Sequence, residues 1–207
     1  ASPNSPSGTM VPLPDLSRLA SAVPGLLVVD EAYADFAEEN ALSLARERRN
    51  VIVLRTFSKS FSLAGMRIGL GFAHPDIIRG LNKVKDSYNM NRLSIAAGEA
   101  ALKDIAWMER NTVRIRRTRE RLIRGLPGTG FFPFPSQANF VLAKRAGGKP
   151  ARPVYEELKR RKILVRYFDT PRLSDCLRIT VGTDAESDAL LTALRSSSSL
   201  RGSASRR

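Results

Sequence analysis

The chain has 207 residues, with 34 Lys and Arg against 20 Asp and Glu, a formal net charge of +14, and a hydrophobic content of 43%. That length holds one large or two small domains with a sizeable core, and no run is apolar for long enough to cross a bilayer. One cysteine, Cys176, and one histidine, His74, leave no intramolecular disulfide and no Cys/His zinc site, so a reducing compartment is expected. The N-terminus lacks the basic-then-apolar pattern of a secretory signal. The basic balance reads either as a solvated surface or as a site for nucleic acid or anionic substrates.

Residues 1–8, Ala-Ser-Pro-Asn-Ser-Pro-Ser-Gly, form a turn sequence with nothing before it to connect, and read as the start of a piece of a longer domain. Residues 15–22 predict a short helix with Leu16, Leu19 and Ala20 on one face, closed by Pro24-Gly25. Residues 26–29 predict a buried strand ending in Asp30-Glu31-Ala32-Tyr33. A carboxylate and a phenol thus emerge at the kind of strand end where open α/β sheets place ligands. Taken singly, Asp30 also reads as a helix N-cap.

After a polar helical stretch, residues 51–54 predict a second buried strand, which delivers Lys59 at its carboxyl end inside Thr-Phe-Ser-Lys-Ser-Phe-Ser. A nucleophilic lysine needs a neutral amine, hence partial desolvation or a neighbouring cation. Phe57, Phe61 and Leu63 are candidates for the first and Arg67 for the second. Thr56, Ser58 and Arg67 offer hydroxyl donors and a guanidinium fork for a phosphate. Lysine plus phosphate cradle suggests pyridoxal phosphate, with Asp30 facing the pyridine nitrogen and Tyr33 the ring's phenolic oxygen. The competing reading makes Lys59 a solvated loop lysine.

Residues 67–72 predict a third strand with Gly69 and Gly71 placed for close packing, and strand, helix, strand indicates a doubly wound, mostly parallel sheet. Residues 75–84 have helical spacing with proline in the first turn, and His74 reads as a loop residue. An alanine-rich helix covers 94–105. A long helix then runs from after Trp107 to about Ile123, with Arg110, Arg114, Arg116, Arg117, Arg119, Arg121 and Arg124 around much of its circumference. It carries no aromatic or glycine between 111 and 124, so a solvated connecting helix is preferred to a nucleic-acid surface. Beyond Gly125-Leu126-Pro127-Gly128 the expected elements are strand 139–142, helix 153–161, strands 163–165 and 177–181, and helix 184–194 with a Thr183/Glu186 capping box. The resulting division is a partial large domain with connecting helix at 1–123, a small α+β domain at 124–194, and a disordered Ser/Arg-rich tail at 195–207.

Several separated motifs, in order, resemble the fold type I pyridoxal-phosphate-dependent aminotransferases, and within them the histidinol-phosphate branch. They are Ser-Pro-Asn-Ser-Pro-Ser-Gly at 2–8, Val-Val-Asp-Glu-Ala-Tyr at 28–33, Leu-Arg-Thr-Phe-Ser-Lys-Ser-Phe-Ser-Leu-Ala-Gly-Met-Arg-Ile-Gly at 54–69 and Tyr-Asn-Met-Asn at 88–91. Ser-Gln-Ala-Asn-Phe at 136–140, Val-Arg-Tyr-Phe at 165–168 and Leu-Arg-Ile-Thr-Val-Gly-Thr at 177–183 complete the set.

The resemblance implies that Lys59 is the catalytic Schiff-base lysine, that Asp30 and Tyr33 contact the ring, and that Thr56, Ser58 and Arg67 hold the phosphate. Either Asn4 or Ser5 would contact the ring oxygen, because Ser5 stands where the family usually has asparagine. Arg178 would bind a substrate carboxylate and Arg166 a substrate phosphate; by alternation alone, Arg178 is a strand residue on a solvated face.

The resemblance further implies amino-group transfer between a phosphorylated amino alcohol and 2-oxoglutarate in histidine biosynthesis, by a cytoplasmic homodimer. The family's N-terminal portion is not in this chain, which puts the activity of the piece alone in doubt. A lyase or decarboxylase on the same fold, and an inactive basic module that binds nucleic acid, are the competing functions.

Overall fold

The computed structural model describes residues 1–197. They divide into two compact units, one of residues 1–5 and 9–113, the other of residues 6–8 and the chain from Arg114 onward.

The first unit is built on a three-stranded sheet. Helix α1, Leu13–Ala22, starts two residues ahead of its expected position because Pro14 occupies the first turn, where a missing N–H is harmless. Strand β1, Leu27–Asp30, helix α2, Leu42–Glu47, and strand β2, Val51–Thr56, follow. Strands β1 and β2 pair in parallel with Leu27 opposite Val51 and Asp30 opposite Leu54. Val29, Val51 and Val53 are buried with Leu16, Ala20, Leu44 and Ala45, so α1 and α2 cover one face of the sheet. Val28 and Leu54 on the other face are exposed.

Strand β3, Gly69–Ala73, runs antiparallel to β2 with Gly69 opposite Thr56. It begins two residues later than the expected strand at 67–72. Arg67 adopts the left-handed conformation (φ 55°) after a short 3₁₀ turn, and extended pairing starts only beyond it. A Cβ at Gly69 would stand 3.3 Å from the Arg55 carbonyl, which bears out the close packing expected there. Helices α3, Pro75–Val84, and α4, Arg92–Lys103, precede α5, Ile105–Gly125, whose residues from Arg114 onward belong to the second unit. His74, expected as a loop residue, caps α3, its side chain accepting from the Asp76 N–H.

The second unit has four antiparallel strands in the order β4-β5-β7-β6: β4, Phe131–Pro133; β5, Phe140–Arg145; β6, Arg166–Tyr167; β7, Cys176–Thr180. Helices α6, Arg152–Arg160, and α7, Asp184–Ser196, complete it. Its core joins Leu122, Leu126, Phe131, Val141, Val154, Leu158, Leu177, Ile179, Leu190 and Leu194.

Three expectations need correction here. Residues 163–165 are not a strand: after α6 the chain reverses at Lys162 (φ 60°), Ile163 and Val165 pack against the core from an irregular segment, and pairing starts at Arg166. Helix α5 is not solvated all round, because Thr118, Arg119 and Leu122 are buried, and Arg119 Nη1 donates to the Ala138 carbonyl at 3.0 Å. Helix α7 runs through Ser196, and Ser197 Oγ donates to Glu157 Oε2 at 2.6 Å. The first residues of the expected tail are therefore ordered, and 198–207 lie outside the described residues.

Acidic side chains in the first turns of α7 face α5. Asp184 accepts from Thr118 Oγ1 at 2.7 Å and pairs with Arg117 at 3.2 Å and Arg121 at 3.3 Å, while Asp188 pairs with Arg121. The Thr118 hydrogen bond and the two guanidinium groups hold the Asp184 carboxyl below its ordinary range. Glu186 is lowered by the Thr183 backbone N–H and hydroxyl of the capping box.

A carboxyl depressed by folding stabilises above its unfolded pKa and loses that contribution as pH falls through the folded one. Asp184→Asn should therefore lower the thermal midpoint at neutral pH. The gap to the parent should close as pH falls through the ordinary carboxylate range and below it. Thermal melts across that range check this, and a gap that persists in acid would contradict it.

Candidate active site

Because β1 and β2 are parallel, their carboxyl ends lie at one end of the sheet, and paired residues point to the same face. Asp30 is opposite Leu54, so Asp30, Leu54 and Thr56 share the face away from α1 and α2. The Ser2 N–H donates to the Asp30 carbonyl at 2.9 Å, which brings residues 2–5 to that strand end. Asn4 is half-buried, with its N–H on the Thr9 carbonyl at 2.7 Å, and Ser5 is exposed. Asp30 Oδ1 accepts from the Ala32 N–H at 3.0 Å. That is the local turn behind the N-cap reading, and it leaves the carboxylate exposed.

The loop after β2 closes tightly. The Phe57 N–H donates to the Ile68 carbonyl at 3.1 Å, and the Leu63 N–H to the Phe57 carbonyl at 3.0 Å. Phe57 is buried and packs on Phe61, ring centroids 4.7 Å apart. The ammonium of Lys59 lies over the Tyr33 ring, 5.2 Å from its centroid. Aromatic surface was expected beside this amine, but the ring it lies over comes from the β1 end rather than from its own loop.

The Thr56 hydroxyl lies 2.9 Å from the Ser58 hydroxyl and accepts the Ser58 N–H at 3.1 Å. Two adjacent hydroxyls at a strand end suit a phosphate. Arg67 is exposed, and its Nη1 donates to the Ala64 carbonyl at 2.8 Å, holding its own turn. An apolar hollow of about 840 Å³, lined by Leu42, Ala45, Phe72, Pro75 and Ile78, lies on α2, β3 and α3 and contains none of these groups.

Sequence reasoning missed a charged relay beneath this loop. Glu31 is buried; its Oε1 accepts from the Ala41 N–H at 2.5 Å and its Oε2 from Arg55 Nε at 2.7 Å. Arg55 Nη1 donates to Asp35 Oδ1 at 2.8 Å, and Asp35 Oδ2 accepts from Ser60 Oγ. The available signal was an arginine at the end of the apolar run Val-Ile-Val-Leu, where a buried strand tolerates charge only if it is paired.

In the second unit, Arg178 opposes Arg166 across the β6–β7 pair. Leu177 and Ile179 turn into the core while Arg178 takes the other face, as alternation required. That face is not simply solvated. The Arg178 guanidinium lies 5.0 Å from the Phe140 ring centroid and 5.8 Å from that of Phe168, and Arg166 lies 5.3 Å from Phe168. Like charges placed opposite each other repel, so two cations held on one face beside a shared ring suit an anion. Phe140 and Phe168 were legible only as parts of motifs.

Residues 1–194 match the family described as aminotransferase class I and II. The chain belongs to that family. Histidinol-phosphate aminotransferase 1 of Nostoc sp. is 49% identical over 195 residues, covering 94% of this chain and 55% of that protein. Histidinol-phosphate aminotransferase of Syntrophotalea carbinolica is 49% identical over 192 residues, covering 93% and 55%. The crystal structure of histidinol-phosphate aminotransferase from Sinorhizobium meliloti in complex with pyridoxal-5'-phosphate superposes with a TM-score of 0.84 at 34% identity, covering 94% of this chain and 55% of that one. The chain thus spans about half the length of the curated relatives it matches.

As expected for this aminotransferase fold, the described residues form mixed α/β units, and no helix among them is long and apolar enough to cross a membrane. The one cysteine lies on β7, beside Arg178. Burial and the neighbouring Asp175 carboxylate push the Cys176 thiol up to about 12, with Sγ donating to Asp175 Oδ1 at 3.3 Å. It should therefore resist a disulfide reagent at mildly alkaline pH in the folded protein and react once denatured. A thiol count before and after denaturant checks this, and rapid native labelling of Cys176 would contradict it.

Proposed function

We propose that the full-length protein is a pyridoxal-phosphate-dependent aminotransferase of the histidinol-phosphate branch, moving an amino group between glutamate and imidazole-acetol phosphate. The observation that carries this is the placement of Lys59 over Tyr33 at the carboxyl end of β2, beside the β1 end that bears Asp30. The donor set fits the cofactor: one lysine for its aldehyde, one exposed carboxylate for its ring nitrogen, and paired hydroxyls for its phosphate.

When bound, pyridoxal phosphate supplies an electron sink for the bonds at the substrate's amine-bearing carbon. The chain's own groups do the rest. Asp30 keeps the ring nitrogen protonated by holding a negative charge beside it. Tyr33, with Asn4 or Ser5, donates to the ring oxygen, and Thr56, Ser58 and Arg67 grip the phosphate. Lys59 would hold the cofactor's aldehyde and, as a free amine, would move a proton at the substrate's amine-bearing carbon. Arg178 holds a substrate carboxylate and Arg166 a substrate phosphate, the two cations of the β6–β7 face serving the two anionic substrates.

The same reading makes the protein a cytoplasmic homodimer acting on small molecules rather than on nucleic acid or at a membrane. Val84 and Tyr88 around the end of α3 and Leu93 and Ile95 on α4 are 81%, 93%, 75% and 54% exposed, apolar surface that further polypeptide would cover.

Lys59→Ala in the full-length protein should abolish the visible absorbance of lysine-linked cofactor and lower amino transfer to 2-oxoglutarate by a factor on the order of 10³ or more. Survival of that absorbance band would remove Lys59 from the role. Carbon dioxide release without amino transfer would move the function to a decarboxylase, and steeply salt-dependent DNA or RNA binding without the band would move it to a basic binding module.

A further inference from the structure

The relay Glu31–Arg55–Asp35–Ser60 has no part in the roles assigned above, yet its ends fall next to the two groups those roles depend on. Glu31 follows Asp30, and Glu31 and Asp35 bracket Tyr33. Ser60 follows Lys59, and the Thr56-bonded Ser58 precedes it. Arg55 is the only member that touches both acids, through Nε to Glu31 and Nη1 to Asp35, with its side chain 17% exposed and that of Glu31 2%.

Desolvating a carboxylate and a guanidinium for a single ion pair gains little stability, and an apolar pair of similar volume often does as well. A fully satisfied polar network does something else: it admits one geometry. Both Glu31 oxygens and both Asp35 oxygens have donors, from Ala41, Arg55 and Ser60.

We propose that Arg55 is a positioning residue that ties the Asp30–Tyr33 loop to the Lys59 loop, and that Ser60 is the point at which the tie fixes Lys59. This rests on the reading of Lys59 and Asp30 as cofactor residues given above. Without the tie, the two loops are joined by the β1–β2 ladder, which ends at Asp30 and Leu54, five residues short of Lys59, and by the contact of the Lys59 ammonium with the Tyr33 ring. The amine and the carboxylate that bracket the ring would then lose the hydrogen-bonded link that fixes one against the other.

Two variants of the full-length protein separate geometry from charge and fold. Arg55→Lys keeps the cation but cannot fork between two carboxylates. Ser60→Ala removes only the last hydrogen bond and leaves the ion pairs in place. Each should weaken equilibrium binding of pyridoxal phosphate by about 5-fold or more and displace the pH midpoint of the lysine-linked absorbance, with circular dichroism unchanged. The double variant should be no worse than Arg55→Lys alone, because both cut one relay.

Binding and midpoint unchanged within about 2-fold in Ser60→Ala, or losses that multiply fully in the double variant, would overturn the proposal. Should Arg55→Lys fail to fold, Ser60→Ala decides by itself. A parent protein that shows no lysine-linked absorbance fails in a different way, since that result overturns the reading of Lys59 and this proposal with it.

Discussion

The constraint on which the first unit depends is the parallel pairing of β1 with β2. Antiparallel neighbours would send Asp30 and Thr56 to opposite ends of the sheet; the parallel ladder, with Asp30 opposite Leu54, puts both at one end and on one face. Parallel strands need a crossover, and α2, packed with α1 on Val29, Val51 and Val53, covers the face turned away from the chemistry. The antiparallel β3 then brings Gly69 opposite Thr56, so backbone rather than a side chain lies beside the hydroxyl assigned to phosphate.

Much of this was legible in the chain because the signals are local. Apolar β-branched runs at 26–29 and 51–54 mark strands, and Thr183 with Glu186 marks the start of α7. What was not legible depends on partners distant in sequence. Arg119 is buried on an arginine-rich helix, where it reaches the carbonyl of Ala138, nineteen residues away in the chain. The strand expected at 163–165 has the right apolar residues, but a reversal at Lys162 turns Ile163 and Val165 toward the core before pairing starts.

The same division applies to the site. Lys59, Asp30 and the Thr56/Ser58 pair were readable as chemistry at strand ends. The relay through Arg55 was not, because nothing in the spacing of residues 31, 35, 55 and 60 says that they meet. Its clue is negative: an arginine ending an apolar strand requires acids that the strand itself lacks, and Glu31 and Asp35 supply them from the neighbouring loop.

The two units hold their cations in physically different ways. Arg55 is held between two carboxylates through Nε and Nη1, which suits it to fixing geometry. Arg166 and Arg178 lie against aromatic faces, which orient a guanidinium. An anion held between them would relieve the repulsion of like charges opposed across the β6–β7 pair. In a chain with a net charge of +14, an arginine forked between two acids and a pair of arginines set against rings are two different settings for the same side chain.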